Sequence, residues 1–198
     1  KQRGLTARLL ETKDPSVPSA VYAEWKTPGA VQTIIFYAHY DGQPTDPKQW
    51  TKSIPWQPAL FSAPLENGGR SLAAPAKNEP INGEWRLYGR SASDDKAGVM
   101  AILRGFDALR ANHIAPTINI KFFFEGEEEA GSPHLGDLIA QHQDLLQADA
   151  WIICDGPVHQ SGRKQVVFGA RGDTNVDLTV YGAKRPLHSG HYGNWAPN

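Results

Sequence analysis

Three apolar runs, each ending at a side chain able to bind a metal, constrain this sequence more than any other feature. Residues 31–38 read Val, Gln, Thr, Ile, Ile, Phe, Tyr, Ala and stop at His39; residues 118–124 run into Glu125 and an acidic cluster; residues 151–154 stop at Asp155. β-Branched and aromatic residues with few polar breaks suit strands buried on both faces of a parallel sheet. Between the first two runs, Val99, Ile102, Leu103, Phe106 and Leu109 recur at helical spacing and predict an amphipathic helix from about Lys96 to Arg110. Before the third, Ser132 as N-cap and Pro133 at the first helical position open a second expected helix, with Leu135, Leu138, Ile139, Leu145 and Leu146 on its apolar face. The alternation of strand and helix predicts an α/β fold: a largely parallel sheet flanked by helices. Ala20 to Trp25 and Glu84 to Tyr88 are candidates for further strands.

Composition narrows the function classes. Twenty Lys and Arg stand against 21 Asp and Glu, a net charge of -1. That balance leaves no basic field to hold a nucleic-acid backbone, so nucleic acid is not an expected partner. The apolar runs fall far short of the roughly 20 residues that span a bilayer, so a soluble chain with no membrane partner is expected. The one cysteine, Cys154, cannot form an internal disulfide, and in an apolar strand its thiol is read as inert.

Gly and Pro concentrate between Gly42 and Gly89, and residues 42–86 are expected to form a long Pro-rich loop or insertion. From Val176 the pattern alternates, with Leu178 and Val180 on one side and Asp177 and Thr179 on the other, as in a half-exposed antiparallel strand. The expected domains are 1–170, catalytic, and 171–198, the beginning of a second α+β domain. Lys1 is not an initiator Met and Asn198 falls in a Gly/Pro-rich passage, so the sequence reads as an internal piece of a longer protein, with its compartment unassigned.

Ligands of open α/β sheets gather outside the carboxyl ends of the strands. His39, the cluster from Glu125 to Glu129, and Asp155 must therefore share one sheet edge. Asp94 and Asp95 precede the expected helix, where the helix dipole favours carboxylates. One imidazole with several carboxylates suits zinc, with manganese or cobalt as alternatives. Without a cation, such a group of carboxylates repels itself. A pair of divalent ions about 3.5 to 4 Å apart can hold a hydroxide between them and polarise a carbonyl. Taken singly, each residue has a plainer reading: a structural His39, helix-capping Asp94 and Asp95, a solvated Glu127 to Glu129 face, a turn at Asp155. Their convergence on one edge favours the metal.

Six stretches carry a family resemblance. They are His39-Tyr-Asp41-Gly-Gln-Pro; Leu87-Tyr-Gly-Arg-Ser-Ala-Ser-Asp94-Asp95-Lys96-Ala-Gly98; Phe124-Glu-Gly-Glu-Glu128-Glu129-Ala-Gly-Ser132; Asp155; and, further on, Gly169-Ala-Arg-Gly with Leu187-His188-Ser-Gly. In this order they resemble the signatures of the di-zinc peptidases that include carnosinase-type dipeptidases, carboxypeptidase G, acetylornithine deacetylase and succinyl-diaminopimelate desuccinylase. The resemblance implies that Asp94 bridges two metal ions, that His39 and Asp155 complete one ligand set, and that Glu129 serves the other. It implies Glu128 as general base and Asp41 as the acid that orients the His39 imidazole. His188 matches a lid histidine that in dimeric members reaches the partner subunit's site and stabilises the oxyanion, so a homodimer through the second domain is implied. A further histidine ligand near the family's C-terminus has no match after Asp155, and the second metal set is expected to be incomplete within these 198 residues, which alone should show little hydrolysis. Arg90-Ser91 replaces the usual Arg-Gly, and Ala97 stands before Gly98. The implied reaction is metal-dependent hydrolysis of a peptide or acyl-amide bond in a small substrate, a peptide or an N-acyl amino acid. A deacylase of the same family, or a binding protein that keeps the fold without catalysis, are the alternatives.

Overall fold

The computed structural model describes residues 3–172 and 174–193. The chain divides into two units, Lys1–Pro157 and Val158–Asn198. The first is built on a five-stranded mixed sheet in the order β1 (Thr6–Leu10), β2 (Ala20–Trp25), β7 (Asn119–Glu125), β3 (Thr33–His39) and β8 (Ala150–Ile153). β7, β3 and β8 run parallel, and β2 and β1 add an antiparallel side. The pairing register sets His39 beside Glu125, and β8 pairs Ile153 with Tyr37. The carboxyl ends of all three parallel strands therefore open on one edge, where the candidate ligand residues begin.

Side chains alternate across the strands and give the sheet two packed faces. Ile35, Tyr37 and Phe123 bury one face with Leu10, Tyr22, Leu138 and Leu146. Ala38, Phe122 and Phe124 bury the other with Phe106, against which α1 (Lys96–Ala111) lays Val99, Ile102 and Leu103. The expected helix is α1, found within a residue of its expected bounds. Asp95 caps it, its side chain accepting from the Gly98 amide at 3.2 Å.

The second expected helix differs. Ser132 is not an N-cap; it has a φ of +48°, and its hydroxyl donates to Glu125. The segment instead folds as α2 (Leu135–Gln141) and α3 (Gln143–Leu146), divided at His142. The ordinary capping pattern fails here because Ser132, at positive φ, lacks the extended backbone of an N-cap, and its side chain is turned toward Glu125. β8 is an edge strand paired only with β3, so Ile152 and Ile153 are 42% and 58% exposed rather than buried on both faces.

Segment 42–86 is more than a loop. It contains β4 (Ala59–Phe61) and β5 (Ser71–Leu72), which with β6 (Arg86–Tyr88) form a small antiparallel sheet in the order β5-β4-β6. Phe61 meets the Tyr88 ring edge-on at 5.4 Å. β6 lies within the strand expected over Glu84 to Tyr88, whereas β4 and β5, of three and two residues, carry no readable periodicity.

In the second unit, the helix among the described residues is α4 (Ser189–Tyr192), whose N-cap His188 accepts from the Gly190 amide. The strand expected from Val176 is not formed among the described residues: Val176, Leu178 and Val180 are 79%, 87% and 81% exposed. Alternation yields a strand only where a partner covers one face and takes up the backbone bonds.

Candidate metal centre

His39 is the floor of the site. It ends β3, is fully buried, and its amide donates to Asp95 Oδ2 at 3.2 Å. Its Nδ1 meets Asp41 Oδ1 at 3.1 Å, a bond in which the ring nitrogen donates to the carboxylate. Nε2 then turns its lone pair toward carboxylate oxygens: Asp94 Oδ1 at 2.9 Å, Glu128 Oε2 at 3.7 Å and Asp155 Oδ2 at 3.7 Å. A lone pair facing three acceptors is repulsive unless a proton or a metal cation stands between them.

One ligand atom each from His39, Asp94 and Asp155 lie within 4.8 Å of one another. This nitrogen and carboxylate-oxygen donor set fits a divalent metal ion. The elements explain the convergence. β3 and β8 deliver His39 and Asp155 from adjacent strand ends, while Asp94 enters from the turn before α1. The Asp94–Asp95 peptide bond is cis. Gly98 allows α1 to approach: an added Cβ would fall 2.6 Å from the Cys154 carbonyl oxygen and 2.2 Å from Asp95 Oδ1.

Crowded charge shows in the titration of these groups. Burial draws His39 down, but the Asp94 hydrogen bond and the charges of Asp155, Asp41 and Glu128 outweigh it and leave the imidazole above its ordinary value. Burial pushes Glu128 up, His39 opposing and Asp155, Glu129 and Asp41 reinforcing. Asp155 is also raised by burial, with His39 opposing and Asp94 and Glu129 reinforcing. The site holds more negative charge than its surroundings compensate, as a cation-binding centre does.

Glu129 lies outside the three-residue group. Its amide donates to Asp41 Oδ2 at 3.0 Å, and its Oε2 accepts from Gln43 Nε2 at 2.7 Å. Asp41 therefore touches two expected ligand positions, His39 through one oxygen and the Glu129 backbone through the other. Gln43 belongs to the segment that follows His39, and no local spacing marks its bond to Glu129 or the contact between Glu125, Tyr37 and Ser132 beneath the site. His188 belongs to the second unit, where it is exposed and its ring centroid is 4.8 Å from that of His191.

Comparison with known proteins agrees with this geometry. Over 195 residues the chain is 27% identical to the Cys-Gly metallodipeptidase dug1 of Schizosaccharomyces pombe, covering 98% of this chain and 37% of that protein. It is 29% identical to human Beta-Ala-His dipeptidase, over 94% of this chain and 33% of that protein. The structure of an M20 family metallo-carboxypeptidase, Sso-CP2 of Sulfolobus solfataricus, superposes with a TM-score of 0.59 at 32% identity, covering 81% of this chain and 30% of that one. The chain thus spans about a third of the length of the curated relatives it matches. The model of peptidase family M20/M25/M40 matches residues 35–192, a span that takes in every residue of the centre, and the chain belongs to that family.

Proposed function

We propose that the protein is a metal-dependent hydrolase that cleaves the peptide bond of a small substrate, a dipeptide in the first instance. The observation that carries this reading is the buried His39, whose Nε2 faces Asp94, Asp155 and Glu128 at distances a cation would reconcile. His39, Asp94 and Asp155 would hold one divalent ion, and Asp94 with Glu129 would contribute to holding a second, zinc being the ion that the resemblance implies. Bound metal supplies Lewis acidity toward the scissile carbonyl and makes water acidic near neutral pH.

The protein's own groups do the rest. Glu128 takes a proton from the attacking water and passes it to the leaving amine. Its raised pKa supports this, because a carboxylate destabilised by burial holds the proton between the two steps. Asp41 keeps the His39 ring in one tautomer and orientation. His188 stabilises the developing oxyanion, from the partner subunit of a homodimer assembled through the second domain. The relatives named as dipeptidases support a dipeptide over an N-acyl amino acid.

A screen of the intact zinc-loaded protein over dipeptides and N-acyl amino acids tests the substrate class, and turnover of N-acyl amino acids alone contradicts it. Glu128→Gln tests the base. It should keep its metal and lose at least the roughly 10² to 10⁴ in rate that general-base catalysis supplies. Near-normal turnover in that variant removes Glu128 from the role.

A further inference from the structure

Glu128 and Glu129 stand on segment 125–132, whose regular structure is one 3-10 turn, Glu128–Ala130. A single side-chain oxygen joins the two ends of this loop. Glu125 ends β7 and is 5% exposed, and its Oε1 accepts a hydrogen bond from the Ser132 hydroxyl at 2.9 Å. The same oxygen accepts the hydroxyl of Tyr37, a buried residue of β3. The first residue of the loop and the last are thus fastened to each other and to the sheet.

The backbone shows that the fastening has work to do. Gly131 and Ser132 both have positive φ, +84° and +48°. The second is unfavourable for a residue with a Cβ. The Ala130 and Ser132 amides both donate to the Glu127 carbonyl, and the Gly131 amide donates to that of Glu128. At the loop's start, an added Cβ on Gly126 would fall 2.4 Å from the Tyr40 hydroxyl oxygen, so a side chain there would displace the Tyr40 ring. α2 makes no use of the Ser132 hydroxyl: its N-cap is His134, without a side-chain cap bond.

We infer that Glu125 is a positioning residue, which acts through Ser132 to set where Glu128 and Glu129 stand, with Tyr37 fixing the Glu125 carboxylate to β3. It touches neither substrate nor metal. This inference rests on the roles proposed for Glu128 and Glu129, and its consequence is that the two ends of the loop are fixed from beneath, while Asp41 and Gln43 hold it at Glu129.

Ser132→Gly is the informative variant, because glycine adopts positive φ freely and the change deletes the hydroxyl without straining the backbone. Glu125→Gln is its control, since the amide carbonyl still accepts both hydroxyls. Ser132→Gly should melt near the wild-type temperature, bind Co²⁺ more weakly in a titration followed by visible absorption, and lose about tenfold or more in kcat with little change in KM. Exchange of the Gly131 amide hydrogen should quicken in Ser132→Gly, with or without metal, and stay slow in Glu125→Gln. Glu125→Gln should keep the wild-type Co²⁺ affinity and kcat.

Unchanged exchange, Co²⁺ affinity and kcat in Ser132→Gly overturn the inference. Equal losses in Glu125→Gln, accompanied by a lowered melting temperature, also overturn it, because they mark general support of the fold. If instead the wild-type protein takes up no Co²⁺, or Glu128→Gln hydrolyses normally, the proposed function fails, and the exchange measurement still decides whether Glu125 and Ser132 order the loop.

Discussion

Asp41 shows how much one carboxylate does here. Oδ1 meets the His39 ring and Oδ2 accepts the Glu129 amide, so both oxygens are committed to positions that carry proposed ligands. Asn at this position offers one acceptor and one donor, and one of the two bonds must fail. Asp41→Asn should therefore weaken metal binding by about 10- to 100-fold, the usual effect of losing an outer hydrogen-bond partner of a ligand. Competition against a chelator of known affinity checks it, and unchanged affinity would place Asp41 outside the centre. His39, Asp94, Glu128 and Asp155 were legible in the sequence because each follows an apolar run or precedes a helix at a predictable edge. Gln43, Tyr37 and Ser132 were not, because their partners Glu129 and Glu125 belong to other segments of the chain or lie across a loop, and no local spacing marks such bonds. Ser132 misled because Ser-Pro before an apolar periodic segment is an ordinary helix start, and nothing local reveals the positive φ that turns its side chain to Glu125.

Among the elements, α1 carries the sharpest contrast. Gly98 and Gly105 lie in one helix, and alanine is about 1 kcal/mol better than glycine in a helix interior. A Cβ at Gly105 meets nothing within 4 Å, so Gly105→Ala should raise stability by roughly 0.5 to 1 kcal/mol. At Gly98 it would collide with the Cys154 carbonyl and with the Asp95 oxygen that caps the helix. Gly98→Ala should lower the melting temperature and weaken metal binding, since α1 must retreat from β8 and carry Asp94 with it. Thermal unfolding of the two variants separates these outcomes, and stabilisation by both would mean that the close approach is not required. β3 and β7 were readable because buried strands leave long apolar runs. β1 was not, since Thr6–Leu10 is short, lies at the sheet edge and has only Leu10 buried. Of the small sheet, β6 lies within the expected strand Glu84 to Tyr88, whereas β4 and β5 were hidden for the same reason of length.

At the scale of the molecule, strand and helix alternation was sufficient to foresee the α/β sheet and the edge where the centre forms, whereas the alternation after Val176 predicted a strand that the described residues do not make. Among those residues no helix is long and apolar enough to cross a membrane. Charge at the centre links metal to pH. His39 is raised above 6.5, so its contribution to stability without metal is full below that value and is lost as pH rises through the raised one. Asp155 and Glu128, raised above 3.8 and 4.5, act in the same direction at lower pH. Metal competes with these protons, so the rise in melting temperature on adding Zn²⁺ to chelator-treated protein should be larger at about pH 7.5 than at about pH 5.5. A rise independent of pH would separate the metal from His39. The most direct test of the central claim is dipeptide hydrolysis by the intact protein, measured with bound metal before chelation, after it, and after Zn²⁺ is returned. The account predicts that activity disappears and returns in step with bound metal, and that His39→Ala neither holds the metal nor recovers activity; hydrolysis that persists in metal-stripped protein, or in His39→Ala, would contradict it.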